Sequence, residues 1–119
     1  MNRKDDTVSV KAVIADYIKG TSDSDPELLE SVFHENAVMS GYLGPDMLLG
    51  GPQPFFDAIA QNKVGPEYQA EITELSVTGR TATATIVEHN LYGLSFVNAF
   101  HLLNVNGNWT ITSKLFHHD

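Results

Sequence analysis

The side chain best suited to acid-base chemistry in this sequence is His101, which lies in the apolar run from Leu94 to Val105. An unperturbed histidine has a pKa of about 6.5, so it can take up or release a proton near neutrality. It could instead be a cavity-lining residue that only hydrogen-bonds a ligand or a neighbour. Which role is open to His101 depends on the face of the strand from which it projects.

The pairing of two strands predicts that His101 points inward. The run Thr81 to Leu91 alternates threonine with alanine and isoleucine, which favours the alanine face as the buried one. If Tyr92-Gly93 forms a two-residue hairpin loop, Ala84 lies opposite His101, and opposed residues share a face. The small alanines would then leave room for a cavity beside His101.

The next hairpin, around Asn106-Gly107, allows two registers that place His101 on different faces. A three-residue loop that includes Val105 puts Trp109, Ile111 and Leu115 on the face of His101. A two-residue loop groups His101 with Thr110, Thr112 and Lys114 instead. Since the three-residue loop agrees with the preceding hairpin, we predict that His101 and Trp109 both face inward.

Other chemical groups are sparse. Glu88 falls on the predicted inward face, but about 13 Å along the sheet from the partner of His101, too far for a direct pair. The five histidines have no metal-binding spacing on a helix, and no glycine-rich phosphate loop occurs, so we predict no metal and no cofactor. The absence of cysteine excludes thiolate chemistry.

Hydrophobic periodicity predicts helices first and strands afterwards, which is an α+β arrangement. Three N-terminal helices should pack on a strongly curved, mostly antiparallel sheet and form a cone with a cavity. The predicted helices span residues 6–19, 26–33 and 51–62, and the predicted strands span residues 37–42, 68–77, 81–91, 94–105 and 108–116. Residues 43–51 are either a loop or a second short strand.

Composition limits the partners. A chain of 119 residues predicts one domain over residues 1–119. The formal net charge is −8 and the seven basic residues are scattered, which argues against a nucleic-acid partner. No apolar run is long enough to cross a bilayer, and the first ten residues do not read as a secretory signal, so we expect a cytoplasmic protein without a membrane partner.

The order of elements and several local strings resemble the nuclear transport factor 2-like superfamily, a cystatin-like α+β cone. Within it the chain is most similar to the bacterial family described as putative lumazine-binding. The resemblance runs nearly end to end and rests on these strings: Tyr17-Ile18-Lys19-Gly20, Phe33-His34-Glu35-Asn36-Ala37, Gly41-Tyr42, Phe100-His101-Leu102-Leu103, Gly107-Asn108-Trp109-Thr110-Ile111 and Lys114-Leu115-Phe116.

The resemblance implies roles for individual residues. Tyr17 stands where ketosteroid-isomerase-like members place the tyrosine that hydrogen-bonds a developing oxyanion, although it could also be a core residue. The base of those isomerases falls on Gly41 here, so that activity is not expected. Family members often carry an acid at the position of Asn98, which implies a hydrogen bond rather than an ion pair between Asn98 and Lys114.

We therefore predict a protein that binds a small apolar or aromatic ligand in a cavity between helices and sheet. The predicted polar anchors are Tyr17 and His101, and the predicted walls are Tyr42, Phe56 and Trp109. Two alternatives stay open: an isomerase, dehydratase or cyclase with His101 as acid or base and Tyr17 as oxyanion donor, or a protein-interaction module without a cavity.

The outward face of the predicted sheet is too apolar for a monomer, which predicts a homodimer. The predicted contact residues are Val87, Leu91, Phe100, Leu102 and Phe116.

Overall fold

A computed structural model of the chain describes residues 3–119. The helices are α1 (Arg3–Ser22), α2 (Pro26–Val32) and α3 (Gln53–Gln61). The strands are β1 (Phe33–Leu43), β2 (Asp46–Gly50), β3 (Gln69–Thr78), β4 (Thr81–Leu91), β5 (Leu94–Val105) and β6 (Asn108–His118). The α+β fold with three helices on one curved sheet is confirmed, and the last three predicted strands start at the predicted residues.

Helix α2 begins where a capping acid meets a proline. The Asp25 carboxylate accepts a hydrogen bond from the backbone N–H of Leu28 at 3.1 Å, and Pro26 takes the first helical position. The helix ends one residue earlier than predicted because Phe33 is already extended and starts β1. The first strand is therefore longer than the predicted span of residues 37–42.

The six strands form one sheet in the order β2-β1-β6-β5-β4-β3. Strands β1 and β6 pair in parallel, and all other neighbours are antiparallel. The helices cover one face, where Val10, Ile14 and Tyr17 of α1 are buried in the core. None of the described helices is long and apolar enough to cross a membrane.

The predicted register between β4 and β5 is wrong by one residue. Leu91 does oppose Leu94, but the pairing shifts between Glu88 and Leu91, where Asn90 adopts a positive φ of 61°. This bulge places Phe100 opposite Ala84. His101 therefore opposes Thr83 on the outer face and is exposed, contrary to the prediction.

The predicted three-residue loop between β5 and β6 is also wrong. Val105 pairs with Asn108, so only Asn106 and Gly107 form the turn, both with positive φ. Trp109 and Ile111 still face inward, as predicted.

A second irregularity follows in the same hairpin. Leu102 pairs with Ile111 but His101 pairs with Ser113, which leaves Thr112 as the extra residue of a bulge. Beyond it the alternation of faces is reversed. Lys114 and Phe116 are buried and Leu115 is exposed, the opposite of the predicted arrangement.

These shifts overturn the predicted dimer surface. Four of its five residues are buried in the core of a single chain, and Val87 is half-buried on the outer face. The four buried residues are Leu91, Phe100, Leu102 and Phe116. The outer face instead exposes Val97, Leu103 and Leu115.

Candidate functional site

A cavity of about 320 Å³ lies between α3, the β1–β2 hairpin and the inner face of the sheet. Most of its lining is aliphatic or aromatic. The helix and the β1–β2 hairpin contribute Met39, Leu43, Leu48, Leu49, Gly51, Pro54, Phe55 and Ala58. Strands β4 to β6 and the Tyr92-Gly93 turn contribute Leu91, Tyr92, Leu94, Phe96 and Phe116.

Two charged side chains, Glu88 and Lys114, also line this cavity. Glu88 is 0% exposed and Lys114 is 3% exposed, whereas several apolar lining residues are open to solvent. Leu43, Leu48 and Leu49 are among the exposed ones, so they lie toward the mouth of the cavity. The two charges therefore belong to its inner wall.

The sheet brings Glu88 inside by simple alternation. It follows Ala82, Ala84 and Ile86 at every second position of β4, and all four side chains are buried. Lys114 reaches the same face only because the bulge at Thr112 reverses the alternation of β6. Without that extra residue, Lys114 would lie on the outer face.

The Glu88 carboxylate accepts three hydrogen bonds from buried donors. The Tyr68 hydroxyl donates to Oε2 at 2.6 Å, and the Tyr17 hydroxyl donates to the same oxygen at 3.3 Å. The Asn98 side-chain amide donates to Oε1. A carboxylate buried without hydrogen-bond partners would lower the stability of the fold. These three donors offset much of that free-energy cost.

Both tyrosines are held in their neutral form. Burial raises the pKa of the Tyr17 hydroxyl well above its ordinary value, and the nearby charge of Glu88 adds to the rise. The pKa of Tyr68 is raised for the same two reasons, with burial the larger cause. Tyr17 and Tyr68 are therefore hydrogen-bond donors to Glu88 throughout the physiological pH range.

The ammonium group of Lys114 lies over aromatic rings. Its Nζ is 3.9 Å from the ring centroid of Phe55, 5.0 Å from that of Tyr17 and 5.9 Å from that of Phe116. Ring faces attract a cation and hold it in place. Lys114 and Glu88 are not among the ion pairs formed by the described residues.

Burial lowers the pKa of Lys114 from 10.5 to about 8, and the charge of Glu88 opposes this effect only in part. An appreciable fraction of the amine is consequently neutral near pH 8. The expected hydrogen bond between Asn98 and Lys114 is absent from the described residues: the Asn98 side-chain N–H donates to Glu88, and Asn98 Oδ1 has no hydrogen-bond partner among the described residues. Glu88 supplies the acid of this cluster.

Three of the residues predicted for the site, Tyr17, Phe56 and Trp109, lie in the interior of the protein. Tyr17 contacts the site through Glu88 and Lys114 but is fully buried and does not line the cavity. Phe56 and Trp109 are buried in the core, and the Trp109 indole donates to Asp6 at 3.2 Å. None of the three forms the cavity wall.

The other two predicted site residues face solvent. His101 is on the outer face of the sheet, so it is neither a cavity anchor nor an acid or base there. Tyr42 is 55% exposed and lies outside the cavity, although its neighbour Leu43 lines it. Both residues were predicted to line the cavity, and both predictions are wrong.

The sequence contained signals for the residues that were missed. Glu88 interrupts a buried alanine and isoleucine face, which is an unusual place for an acid unless it has partners. The spacing of two residues puts Lys114 on the same face as Phe116, but residue types alone do not show that the bulge at Thr112 turns this face inward. Phe55, adjacent to the predicted Phe56, turns out to line the cavity.

Gly41 occupies a position that admits no side chain. A Cβ there would lie 2.3 Å from the backbone oxygen of Phe116 and 2.6 Å from its ring. A base at position 41 is therefore excluded sterically as well as by residue type. Among the described residues, no group of three or more histidine, aspartate or glutamate side chains is arranged to hold a metal ion.

A family model described as "Putative lumazine-binding" matches residues 5–117. A curated protein named aldolase FrzH, from Cladobotryum sp, is 26% identical over 102 residues, which cover 85% of this chain and 82% of that protein.

Two solved structures are similar along nearly the whole chain. A nuclear transport factor 2-like protein of unknown function from Shewanella baltica superposes with a TM-score of 0.90 at 27% identity, covering 100% of this chain and 98% of that one. One from Methylobacillus flagellatus has a TM-score of 0.91 at 28% identity, covering 97% and 93%.

Proposed function

Since this chain belongs to the putative lumazine-binding family, we propose that it binds a small, mostly apolar molecule in the cavity and holds one polar group of that molecule at Lys114. The observation that carries this proposal is a buried lysine at the inner wall of an apolar cavity that forms no ion pair with any residue the structure describes. Ligand sites commonly combine apolar walls with a few placed polar groups.

The size and walls of the cavity indicate the body of the ligand. Its volume of about 320 Å³ is at the lower end of the range typical of small-molecule sites. The rings of Phe55, Phe96 and Phe116 line it and can contact a flat aromatic ligand. A small aromatic or alicyclic molecule fits these walls better than a sugar or a nucleotide.

The inner wall indicates the polar group. Glu88 already accepts hydrogen bonds from Tyr17, Tyr68 and Asn98, so it has little capacity left for a ligand donor. In its ammonium form Lys114 can only donate. The ligand group that meets it is therefore an acceptor, either a carboxylate or a carbonyl oxygen.

The structure also bears on the two alternative functions that the sequence left open, an enzyme and an interaction module. An enzyme of the isomerase, dehydratase or cyclase type would need Lys114 and Glu88 in place of His101, which faces away from the cavity. The relative named an aldolase favours carbonyl compounds among the possible ligands. An interaction module without a cavity is disfavoured by the open volume beneath α3.

Binding of 2-naphthoic acid, measured by isothermal titration calorimetry, tests the proposal. Its flat apolar body suits the walls, and its carboxylate suits Lys114. We expect Lys114→Met to weaken binding about tenfold or more, because a charge-assisted hydrogen bond is lost. His101→Ala, a change on the opposite face, should leave the affinity unaltered. Absence of binding to the native protein, or equal binding by Lys114→Met, would refute the proposal.

We also retain the homodimer as a proposal, now through Val97, Leu103 and Leu115. These apolar side chains project from neighbouring strands of the outer face and are exposed.

The cytoplasmic location predicted from the sequence stays a prediction.

A further inference from the structure

We propose that Lys114 is a nucleophilic amine that forms a Schiff base with an apolar aldehyde or ketone bound in the cavity. This inference rests on the proposed ligand-binding function of the same cavity. It adds a class of ligand and a covalent step.

The position of the amine favours this reaction. Lys114 lines the cavity, and its Nζ lies 3.9 Å from the ring centroid of Phe55, another lining residue, and 5.0 Å from that of Tyr17. Because no direct ion pair with Glu88 ties up the group in the described structure, its lone pair is available once a proton is lost. A carbonyl group that enters the cavity therefore meets an amino group that no ion pair with Glu88 holds in its charged form.

The protonation state supports the same role. With a pKa lowered to about 8, roughly a tenth of the Lys114 side chains are neutral at pH 7. For an ordinary lysine that fraction is on the order of one in several thousand. Desolvation in an apolar pocket is a recognised way to activate an amine nucleophile.

The step balances without an added oxidant or reductant. The neutral amine attacks the carbonyl carbon, a C–N bond forms, and a proton moves from nitrogen to oxygen to give a carbinolamine. A second proton then converts the hydroxyl to water, which leaves as the nitrogen lone pair forms the C=N bond. The product is a protonated imine and one molecule of water.

The surroundings suit the product as well as the reactant. The protonated imine carries its positive charge where the ammonium was, so the Phe55 ring and the charge of Glu88 stabilise it in the same way. Tyr17, whose ring centroid is 5.0 Å from Nζ, joins this nitrogen to the hydrogen-bonded set of Glu88 and Tyr68. Water that enters through the mouth of the cavity supplies the second proton. The apolar walls restrict access to carbonyl compounds without a second charge.

Reductive trapping with 2-naphthaldehyde and sodium cyanoborohydride at pH 7 tests the inference. The hydride reduces the imine to a stable secondary amine, which adds one naphthylmethyl group to the intact protein mass. Peptide mapping should place this group on Lys114 at least tenfold more than on the exposed Lys11, Lys19 or Lys63. The preference for Lys114 over the exposed lysines should shrink as the pH is raised from 7 toward 10.5, because the exposed lysines then lose their protons as well.

Two variants accompany this measurement. Lys114→Met should lose the rapid modification, whereas Lys63→Met, which removes an exposed lysine, should keep it. Mapping the native protein needs no variant to fold, so the inference can be judged even if Lys114→Met is unstable. Modification spread evenly over the exposed lysines, with Lys114 unmodified, would overturn it.

A non-reactive analogue separates this inference from the proposed function. The alcohol 2-naphthalenemethanol has the same apolar body but no carbonyl carbon to attack. If the protein binds the alcohol and Lys114 is not trapped by the aldehyde, the Schiff-base inference is wrong and the ligand-binding proposal stands. If neither the alcohol nor 2-naphthoic acid binds, both are wrong.

Discussion

At the scale of single residues, the neighbours of Lys114 only partly offset the free-energy cost of burying its charge. The aromatic rings and Glu88 favour the ammonium form, yet burial outweighs them and lowers the pKa to about 8. In the unfolded chain the same amine should return to a value near 10.5. This difference links the stability of the fold to pH.

The sign of that link follows from where the proton binds more tightly. Between about pH 8 and 10.5 the unfolded chain keeps the Lys114 proton and the folded chain releases it. The free energy of unfolding should therefore rise with pH across this window, and below pH 8 the full cost of the buried charge is present. The free energy of unfolding is expected to increase by about 3 kcal/mol across this window.

Comparison with Lys114→Met isolates this contribution, because the tyrosines and exposed lysines titrate alike in both proteins. We expect urea denaturation to show the native protein gaining about 3 kcal/mol relative to the variant between pH 8 and 10.5. A difference between the two proteins that does not change with pH would contradict the lowered pKa.

The hydrogen bonds of Glu88 give a second test at this scale. Tyr68 donates at 2.6 Å and Tyr17 at 3.3 Å, so the Tyr68 bond should be the stronger one. We expect Tyr68→Phe to lower the free energy of unfolding by about 1.5 to 3 kcal/mol and Tyr17→Phe by less. Tyr42→Phe, at an exposed position, serves as the control and should change stability little. Equal effects of the two core variants in urea denaturation would argue against the observed geometry.

At the scale of elements, the bulges decide which side chains reach the site. The alternation of β4 was readable from its alanines and threonines, and it placed Glu88 inside correctly. The extra residues at Asn90 and Thr112 were not readable, since a single-residue slip leaves the pattern of residue types unchanged while it exchanges the two faces. For that reason the sequence predicts His101 on the inner face and Lys114 on the outer face, whereas in the structure His101 is exposed and Lys114 is buried.

The parallel pairing of β1 with β6 depends on a glycine. Gly41 opposes Phe116, and a Cβ at Gly41 would collide with both the backbone and the ring of that residue. We expect Gly41→Ala to destabilise the fold by about 1 to 3 kcal/mol, because β6 must shift to admit a methyl group.

Gly51 offers a matched control, since a Cβ there would meet its nearest atom at 3.7 Å. Thermal or urea unfolding of Gly51→Ala should be close to that of the native protein. If the two alanine variants lose the same stability, the close approach of Gly41 to Phe116 does not hold.

At the scale of the whole molecule, the fold was predictable to a much greater degree than the site. The order of helices and strands follows from periodicity and turn residues, which tolerate a register error, and the family match agrees with it. A site depends instead on which atoms meet in space. The contact of Tyr17 with Glu88, 71 residues apart in the chain, has no local signature.

The outer face of the sheet provides a prediction about assembly. We expect sedimentation velocity at moderate salt to show a dimer, because the exposed Val97, Leu103 and Leu115 would be covered while the charge of −8 on each copy is screened. Leu115→Asp should shift the protein toward monomer, whereas Val8→Asp, an exposed position on α1, should not. A native protein that stays monomeric at all concentrations would contradict the dimer.

The most direct test of the cavity and its lysine is a ¹³C NMR titration of the Lys114 Cε resonance, with and without 2-naphthoate. We expect the free protein to titrate with a pKa of about 8 and the bound protein to titrate at a higher value, since a carboxylate at Nζ favours the ammonium form. A free pKa near 10.5 that 2-naphthoate does not move would contradict Lys114 as the buried anchor of a ligand.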